Sequence, residues 1–462
     1  MRKIYFLAIL SIIFLVSCSD DNPIIVDPPP NPSDTLGTII GKVTDLSNIG
    51  VNGVSVTAIL NGNYYYGFSD TTGHYSITSL PAGNHFVYVS KNGYTSDSSN
   101  VTVSQGDTAQ ADFQIEQTFW YRVSSNTLQA ANAYQNLYIN PSQVIFASTR
   151  PGSWIGYNLG GFIKTSNLGD NWQAAISNGS ATQIFPIADN NLFIFTAMGQ
   201  DGLGHYIGEN KLYRSGDYGT TWQEQLDMNL EQIDGYKLVG MNTNTLFLNM
   251  YGWNNSSHYF HFYKSVNQGS SWTSYSPVSQ FNVSGLNKTS SGKIYTADYS
   301  DSMYYSTNGN DWTKRVVTSS IRSYIINSVS LPTGEMISNA GTSGYAISYD
   351  DGQNWSSLST NLTYFPRPNQ FKFNSNNDII SIVNNESNNT FGVYKSIDKC
   401  QIWVLIDDGL PVGYRPVSLA LFQDYAYLLL NDGYLYKTSR ATTGSLTDLR
   451  NTININRFSQ KK

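Results

Sequence analysis

Ser215-Gly216-Asp217-Tyr218-Gly219-Thr220-Thr221-Trp222 is the stretch whose reading decides the fold. An apolar strand precedes it, and its chemistry is that of a tight turn. A short carboxylate side chain bonds nearby backbone N–H groups, glycine takes the positive φ that other residues resist, and the indole supplies a large apolar body. The order recurs at Thr165/Asn167/Gly169/Trp172, Ser265/Asn267/Gly269/Trp272 and Ser348/Asp350/Gly352/Trp355, always with the Trp seven residues past the hydroxyl. A contracted copy runs from Ser306 through Asn308 and Gly309 to Trp312, and a degenerate one holds Ser396, Asp398, Cys400 and Trp403. The six tryptophans advance in steps of 50, 50, 40, 43 and 48 residues, the signature of a repeat architecture.

This pattern resembles the Asp-box, or bacterial neuraminidase repeat, which occupies the turn between the third and fourth strands of a β-propeller blade. The resemblance implies a structural role for Asn167, Asp217, Asn267, Asn308, Asp350 and Asp398 as turn caps. It implies that Trp172, Trp222, Trp272, Trp312, Trp355 and Trp403 bury between blades. Cys400 stands where the pattern wants glycine, so that turn is distorted or tolerated; a reactive thiol is a second reading. A seventh copy of the preceding strand, Tyr434 to Ser439, has no Trp after it. Phe119-Trp120-Tyr121-Arg122-Val123 lies 52 residues before Trp172 and offers the missing fourth strand, which would close the ring and remove its edges. The expected fold is all-β, with a seven-bladed propeller over residues 117–445 and a polar tail over 446–462; six blades plus a flanking strand is the alternative.

Upstream, residues 37–116 alternate short β-type runs with turn signals, as a small sandwich does. Gly41-Lys42-Val43-Thr44-Asp45, Gly53-Val54-Ser55-Val56, Asp70-Thr71-Thr72-Gly73-His74-Tyr75, Leu80-Pro81-Ala82-Gly83 and Lys91-Asn92-Gly93-Tyr94 resemble, in family order, the carboxypeptidase regulatory-like family. The resemblance implies an Ig- or transthyretin-like sandwich serving as a spacer or weak binding module.

At the N-terminus, Arg2 and Lys3 precede an apolar run from Ile4 to Val16, too short to span a bilayer at ~20 residues. Leu15-Val16-Ser17-Cys18 resembles the lipobox of bacterial lipoproteins. Residues 1–17 are then a signal peptide and Cys18 the lipidated N-terminus, anchored in a membrane by several acyl chains. Ser19-Asp20-Asp21-Asn22 resembles the acidic signal that sends Bacteroidetes-type lipoproteins to the cell surface, which places the chain outside the outer membrane. Residues 18–36 include a proline-rich spacer with Pro28-Pro29-Pro30.

Composition narrows the function. The net charge of −6 becomes −8 without Arg2 and Lys3, and a thin scatter of cations gives nucleic acid no basic face. Two cysteines and five histidines leave little for disulfides or structural zinc, and no cofactor or metal is expected. Charged residues make 13% of the chain against 14% aromatics, so a buried core is within reach.

If the repeat turns share one face, strand counting puts the loops between second and third strands on the other. Three long loops fall there: Arg150 to Asn158 with Trp154 and Tyr157, Asp201 to Tyr206 with His205, and Tyr251 to Tyr259 with Trp253 and His258. Aromatic faces with short polar hydrogen-bonding groups suit a sugar ring. Arg322, Arg367 and Arg415 fall with Arg150 on the same face. The Asp-box resemblance allows a sialidase-like exo-glycoside hydrolase with an arginine grip, a tyrosine nucleophile and carboxylates. Against that, the Arg-Ile-Pro motif of those enzymes is absent, glutamates are scarce, and Asp201, Tyr324 and Tyr414 are positions without motif support. The expected function is therefore glycan binding without catalysis, with a hydrolase or a protein-binding scaffold as alternatives.

Overall fold

The computed structural model describes residues 36–444 except 130, 132–133, 135, 149–160, 177–179, 189, 198, 201–205, 208, 229–232, 255–256, 277–284, 299–300, 341–343, 386 and 388. The chain divides into two compact units, one ending at Gln114 but lacking Lys91–Thr95, the other holding Lys91–Thr95 and everything from Ile115.

The first unit has eight strands: β1 (Gly37–Thr44), β2 (Ser55–Leu60), β3 (Asn63–Phe68), β4 (His74–Leu80), β5 (Gly83–Ser90), β6 (Asp97–Val103), β7 (Thr108–Gln110) and β8 (Phe113–Gln114). They form two sandwich-like sheets, β4-β1-β7 with β8 also on β1, and β3-β2-β5-β6. Alternation explains the core, since every second side chain of a strand faces inward. Ile39, Val43, Val56, Ala58, Ile77, Val87 and Val89 are buried, and Tyr75 with them. The expected Asp-x-x-Gly turn is present. Asp70 Oδ1 accepts from the backbone N–H of Thr72 and of His74 at 2.8 and 3.0 Å, and Gly73 sits at φ +86°.

The second unit holds seven four-stranded antiparallel sheets, each in simple up-and-down order, consistent with a propeller. Sheet one begins at Asn136–Ile139, sheet two at Ser180–Ala188, sheet three at Ile233–Gly240, sheet four at Asn287–Lys288, sheet five at Val329–Ser330, sheet six at Lys372–Phe373 and sheet seven at Pro416–Phe422. The first six sheets take their four strands from consecutive chain. Sheet seven takes its fourth from far upstream: β9 (Trp120–Arg122) pairs antiparallel with Leu435–Thr438, Trp120 opposite Thr438. Trp120 is fully buried and its indole N–H donates to the Ile406 carbonyl at 2.6 Å, tying the closing strand to sheet six as well. Beyond Thr438 the chain is held against sheet six. The buried Lys395 ammonium, paired with Asp378 at 2.9 Å, donates to the carbonyls of Thr442 and Gly444.

Among the described residues one α-helix departs from the all-β expectation. Helix α1 (Ser319–Ile326), N-capped by the Thr318 hydroxyl, leads into sheet five. Ile321 and Ile325, four apart and therefore on one helix face, join the cluster of Tyr295, Met303 and Met336 between sheets four and five.

Candidate functional site

The repeat turns are built alike in all six copies. The hydroxyl of Thr165, Ser215, Ser265, Ser306, Ser348 or Ser396 accepts from the N–H of Gly169, Gly219, Gly269, Gly309, Gly352 or Cys400 at 2.8–3.1 Å. The Asn or Asp oxygen accepts from a backbone N–H further on, Asn171, Thr221, Ser271, Asp311, Asn354 or Ile402, at 2.8–3.0 Å. All six residues at the glycine position have positive φ, between +74° and +91°. Cys400 keeps the turn intact at φ +75°, so it is tolerated and not distorting. Its thiol is fully buried, and burial, helped by the neighbouring Asp398, pushes it far above the usual thiol range, which removes the reactive-thiol reading.

The tryptophans differ from expectation. Trp403 is buried, but Trp172, Trp222, Trp272, Trp312 and Trp355 are half-buried. Each stands at the start of a sheet's outermost strand, where only one side meets the preceding sheet. Trp222, Trp272 and Trp312 sit edge-on to Phe162, Phe193 and Phe247 of the sheet before, with centroids 5.5, 6.2 and 5.8 Å apart.

The loop residues Arg150, Trp154, Tyr157, Asp201 and His205 lie outside the described residues, as does Cys18. What is described corrects the loop reading of Tyr251–Tyr259. Its described residues are strand, Leu246–Asn254 pairing with Ser257–Ser265 so that Trp253 stands opposite His258 and Gly252 opposite Tyr259. The ladder continues because the alternating aromatic residues that looked like a loop platform also favour a strand. Tyr206 likewise lies in a strand, Tyr206–Ile207, pairing with Gly199–Gln200.

The arginines precede the first strands of sheets five, six and seven. Arg322 is on α1 and pairs with Asp301 at 3.2 Å. Arg367 is exposed and caps a single 3-10 turn, Pro368–Gln370, ahead of Lys372. Arg415 lies over the Phe391 ring, 4.9 Å from its centroid. Among the described residues, the hydrolase's other positions are engaged in packing or ion pairs. Tyr324 lies against Trp355 with centroids 5.6 Å apart, and the Tyr414 hydroxyl accepts from the Val393 N–H at 3.3 Å. Glu209 and Glu224 share Lys211 at 2.7 and 3.0 Å, and Glu335 takes Lys399 at 2.5 Å. Among the described residues no three His, Cys, Asp or Glu side chains gather as metal ligands.

Sequence reasoning passed over Lys237 and Lys372, which stand in the first strands of sheets three and six. Burial pushes both ammonium groups below the usual lysine range. The signal was there for Lys237: a lone cation between Tyr236 and Leu238 in an otherwise apolar run.

Residues 38–116 match the carboxypeptidase regulatory-like domain, as their motifs implied. No curated protein matches the chain. Among solved structures, Ycf48 from Cyanidioschyzon merolae is 12% identical over 69% of this chain and 98% of its own, with a TM-score of 0.42. A virginiamycin B lyase from Staphylococcus aureus solved with quinupristin is 8% identical over 70% of this chain and 100% of its own, at 0.44. The extracellular domain of a hybrid two-component system from B. thetaiotaomicron is 11% identical over 82% of this chain and 55% of its own, at 0.46.

Proposed function

We propose that this chain is a bacterial lipoprotein, lipidated at Cys18 and displayed on the outer membrane, whose seven-bladed Asp-box propeller binds glycan without turning it over. The observation that carries the reading is the hairpin of sheet three. Its two strands run nine residues each, against four and five for the matching strands of sheet four, and carry Trp253 and His258 to the end away from the repeat turns. Sheet two adds its own hairpin, Gly199–Gln200 with Tyr206–Ile207. Aromatic residues at that end would suit the CH faces of a sugar, and Asn, His and Tyr side chains its hydroxyls.

The absence of turnover is supported by the commitments of the alternative's parts. Arg322 is paired with Asp301, and Glu209, Glu224 and Glu335 are bonded to lysines. The test is a glycan array containing sialosides and plant polysaccharides, probed with the full chain and with Trp154→Ala/Trp253→Ala. Binding that the double variant loses supports a sugar site on the loop side; no binding by the folded chain overturns it. Hydrolysis of any bound glycan that Arg367→Ala or Arg415→Ala abolishes would replace it with the hydrolase.

A further inference from the structure

The outward face of one sandwich sheet is aromatic where a solvent-facing sheet is ordinarily polar. Tyr64, Tyr66 and Phe68 alternate along β3. The register sets Tyr64 beside Ile59 and Tyr66 beside Thr57 of β2, and these in turn beside Phe86 and Tyr88 of β5. Five rings therefore stand in two rows on one face, two strands or roughly 10 Å apart. Tyr64, Tyr66, Phe68 and Phe86 are 55, 63, 68 and 45% exposed. Thr57, between the rows, is only 2% exposed, so the rows close over β2 as one continuous platform. Within the rows the rings run near parallel, Tyr64 to Tyr66 at 12° and Phe86 to Tyr88 at 30°, with centroids 6.5 and 6.3 Å apart.

The fold does not need these rings outside. The inner face of the same sheet, Val56, Ala58, Val87 and Val89, is completely buried and supplies the core. An exposed ring leaves apolar area in water at ~25 cal/mol per Å², and a contiguous patch of them marks a surface that is covered in use. Its electrostatics select the occupant. None of the outward residues is charged, and across β6 the rows end in the neutral Asn100 and Ser98, opposite Phe86 and Tyr88. An acidic or basic partner would bury its charges against groups unable to pair them. A lipid surface would call for flanking cations. An uncharged sugar chain matches on both counts: its CH faces lie on flat rings, and its hydroxyls meet the phenol groups and the Asn100–Ser98 rim.

We infer that the outward face of β3-β2-β5 is a binding platform for a neutral polysaccharide, a site separate from the propeller and independent of its function. The test is affinity electrophoresis of the full chain in gels cast with a neutral β-glucan, mannan, xylan or starch, beside a carboxylated pectin. Retardation is expected in at least one neutral gel and not in pectin. Tyr64→Ala/Tyr66→Ala/Phe68→Ala should weaken it at least tenfold, and Phe86→Ala/Tyr88→Ala should weaken it independently. Both variants should unfold at the temperature of the parent, since the rings are outside the core. In a Trp154→Ala/Trp253→Ala background, where the propeller site is disabled, retardation should persist and the same platform substitutions should still abolish it, which separates the platform from the propeller site. Absence of retardation in every neutral gel, or retardation that survives both platform variants, overturns the proposal. So does a dimer by light scattering that the triple variant dissociates, which would give the face to a second copy of the chain.

Discussion

The turns of sheets two and three and the turn of sheet six have the same hydrogen bonds but a different residue at the tightest point. In the first two, a Cβ on Gly219 or Gly269 would stand 2.6 or 2.2 Å from the ring of Phe146 or Phe193 in the preceding sheet. In sheet six the residue is Cys400, which shares a buried cluster with Ile337. Ile337 holds in sheet five the place that Phe146 and Phe193 hold in theirs. Each follows the residue paired with the hydroxyl of its own sheet's turn. The glycine of the repeat therefore answers two demands, positive φ and room for the neighbour's ring. Where the neighbour is aliphatic, only the first remains, and a small side chain tolerates it.

The largest effect expected from breaking this contrast is at Gly269. Gly269→Ala adds the strain of a left-handed residue to overpacking against Phe193, together about 2–5 kcal/mol. Urea unfolding followed by tryptophan fluorescence should show the loss, whereas Cys400→Ala under the same conditions should cost clearly less. A middle-sized effect sharpens the comparison from the neighbour's side. Ile337→Phe gives sheet five the ring of sheets one and two, and should destabilise by about 1–3 kcal/mol. Cys400→Gly in that background should restore much of the loss, and a double-mutant cycle with no coupling would contradict the account.

The smallest effect concerns the caps, where sheets one, three and four use Asn and sheets two, five and six use Asp. Although burial works against it, hydrogen bonds from Thr221 and Ser215 hold the Asp217 carboxyl below the usual carboxylate range; Asp350 is held likewise by Asn354 and Ser348. A lowered folded pKa adds stability that is present above the unfolded value, ~3.9, and lost as pH falls through the folded one. Asp217→Asn should therefore change stability near pH 7 by less than about 1 kcal/mol. It should also flatten the acid side of the urea midpoint plotted against pH.

Much of this was legible in the residues. The hydroxyl–Asp/Asn–Gly–Trp order reads as a turn because its contacts are local. The closure by Trp120–Arg122 was legible because a seventh strand set lacked only its fourth member, a deficit that counting reveals. What escaped depended on contacts between distant segments. The tolerance of Cys400 is set by Ile337, 63 positions away in sequence. Helix α1 carries Thr318 as a cap and the Ile321/Ile325 spacing, but eight residues between strands are a weak signal inside an all-β pattern. The long pairing at Trp253 looks like a loop in the sequence because Asn254-Asn255-Ser256-Ser257 is a turn-type run. The aromatic face of the sandwich was visible as alternate Tyr64, Tyr66 and Phe68, but its second row joins it only through the register with β2.

The pairing of Trp120 with Thr438 also fixes when the ring can finish. Sheets one to six become complete in the order in which the chain is made, whereas the outermost strand of sheet seven is among the first parts of the unit synthesised and waits for the last. Until Leu435–Thr438 arrives, the edge of β9 has no strand to pair with, so a chain interrupted near its end would keep an open, adhesive edge despite six finished sheets.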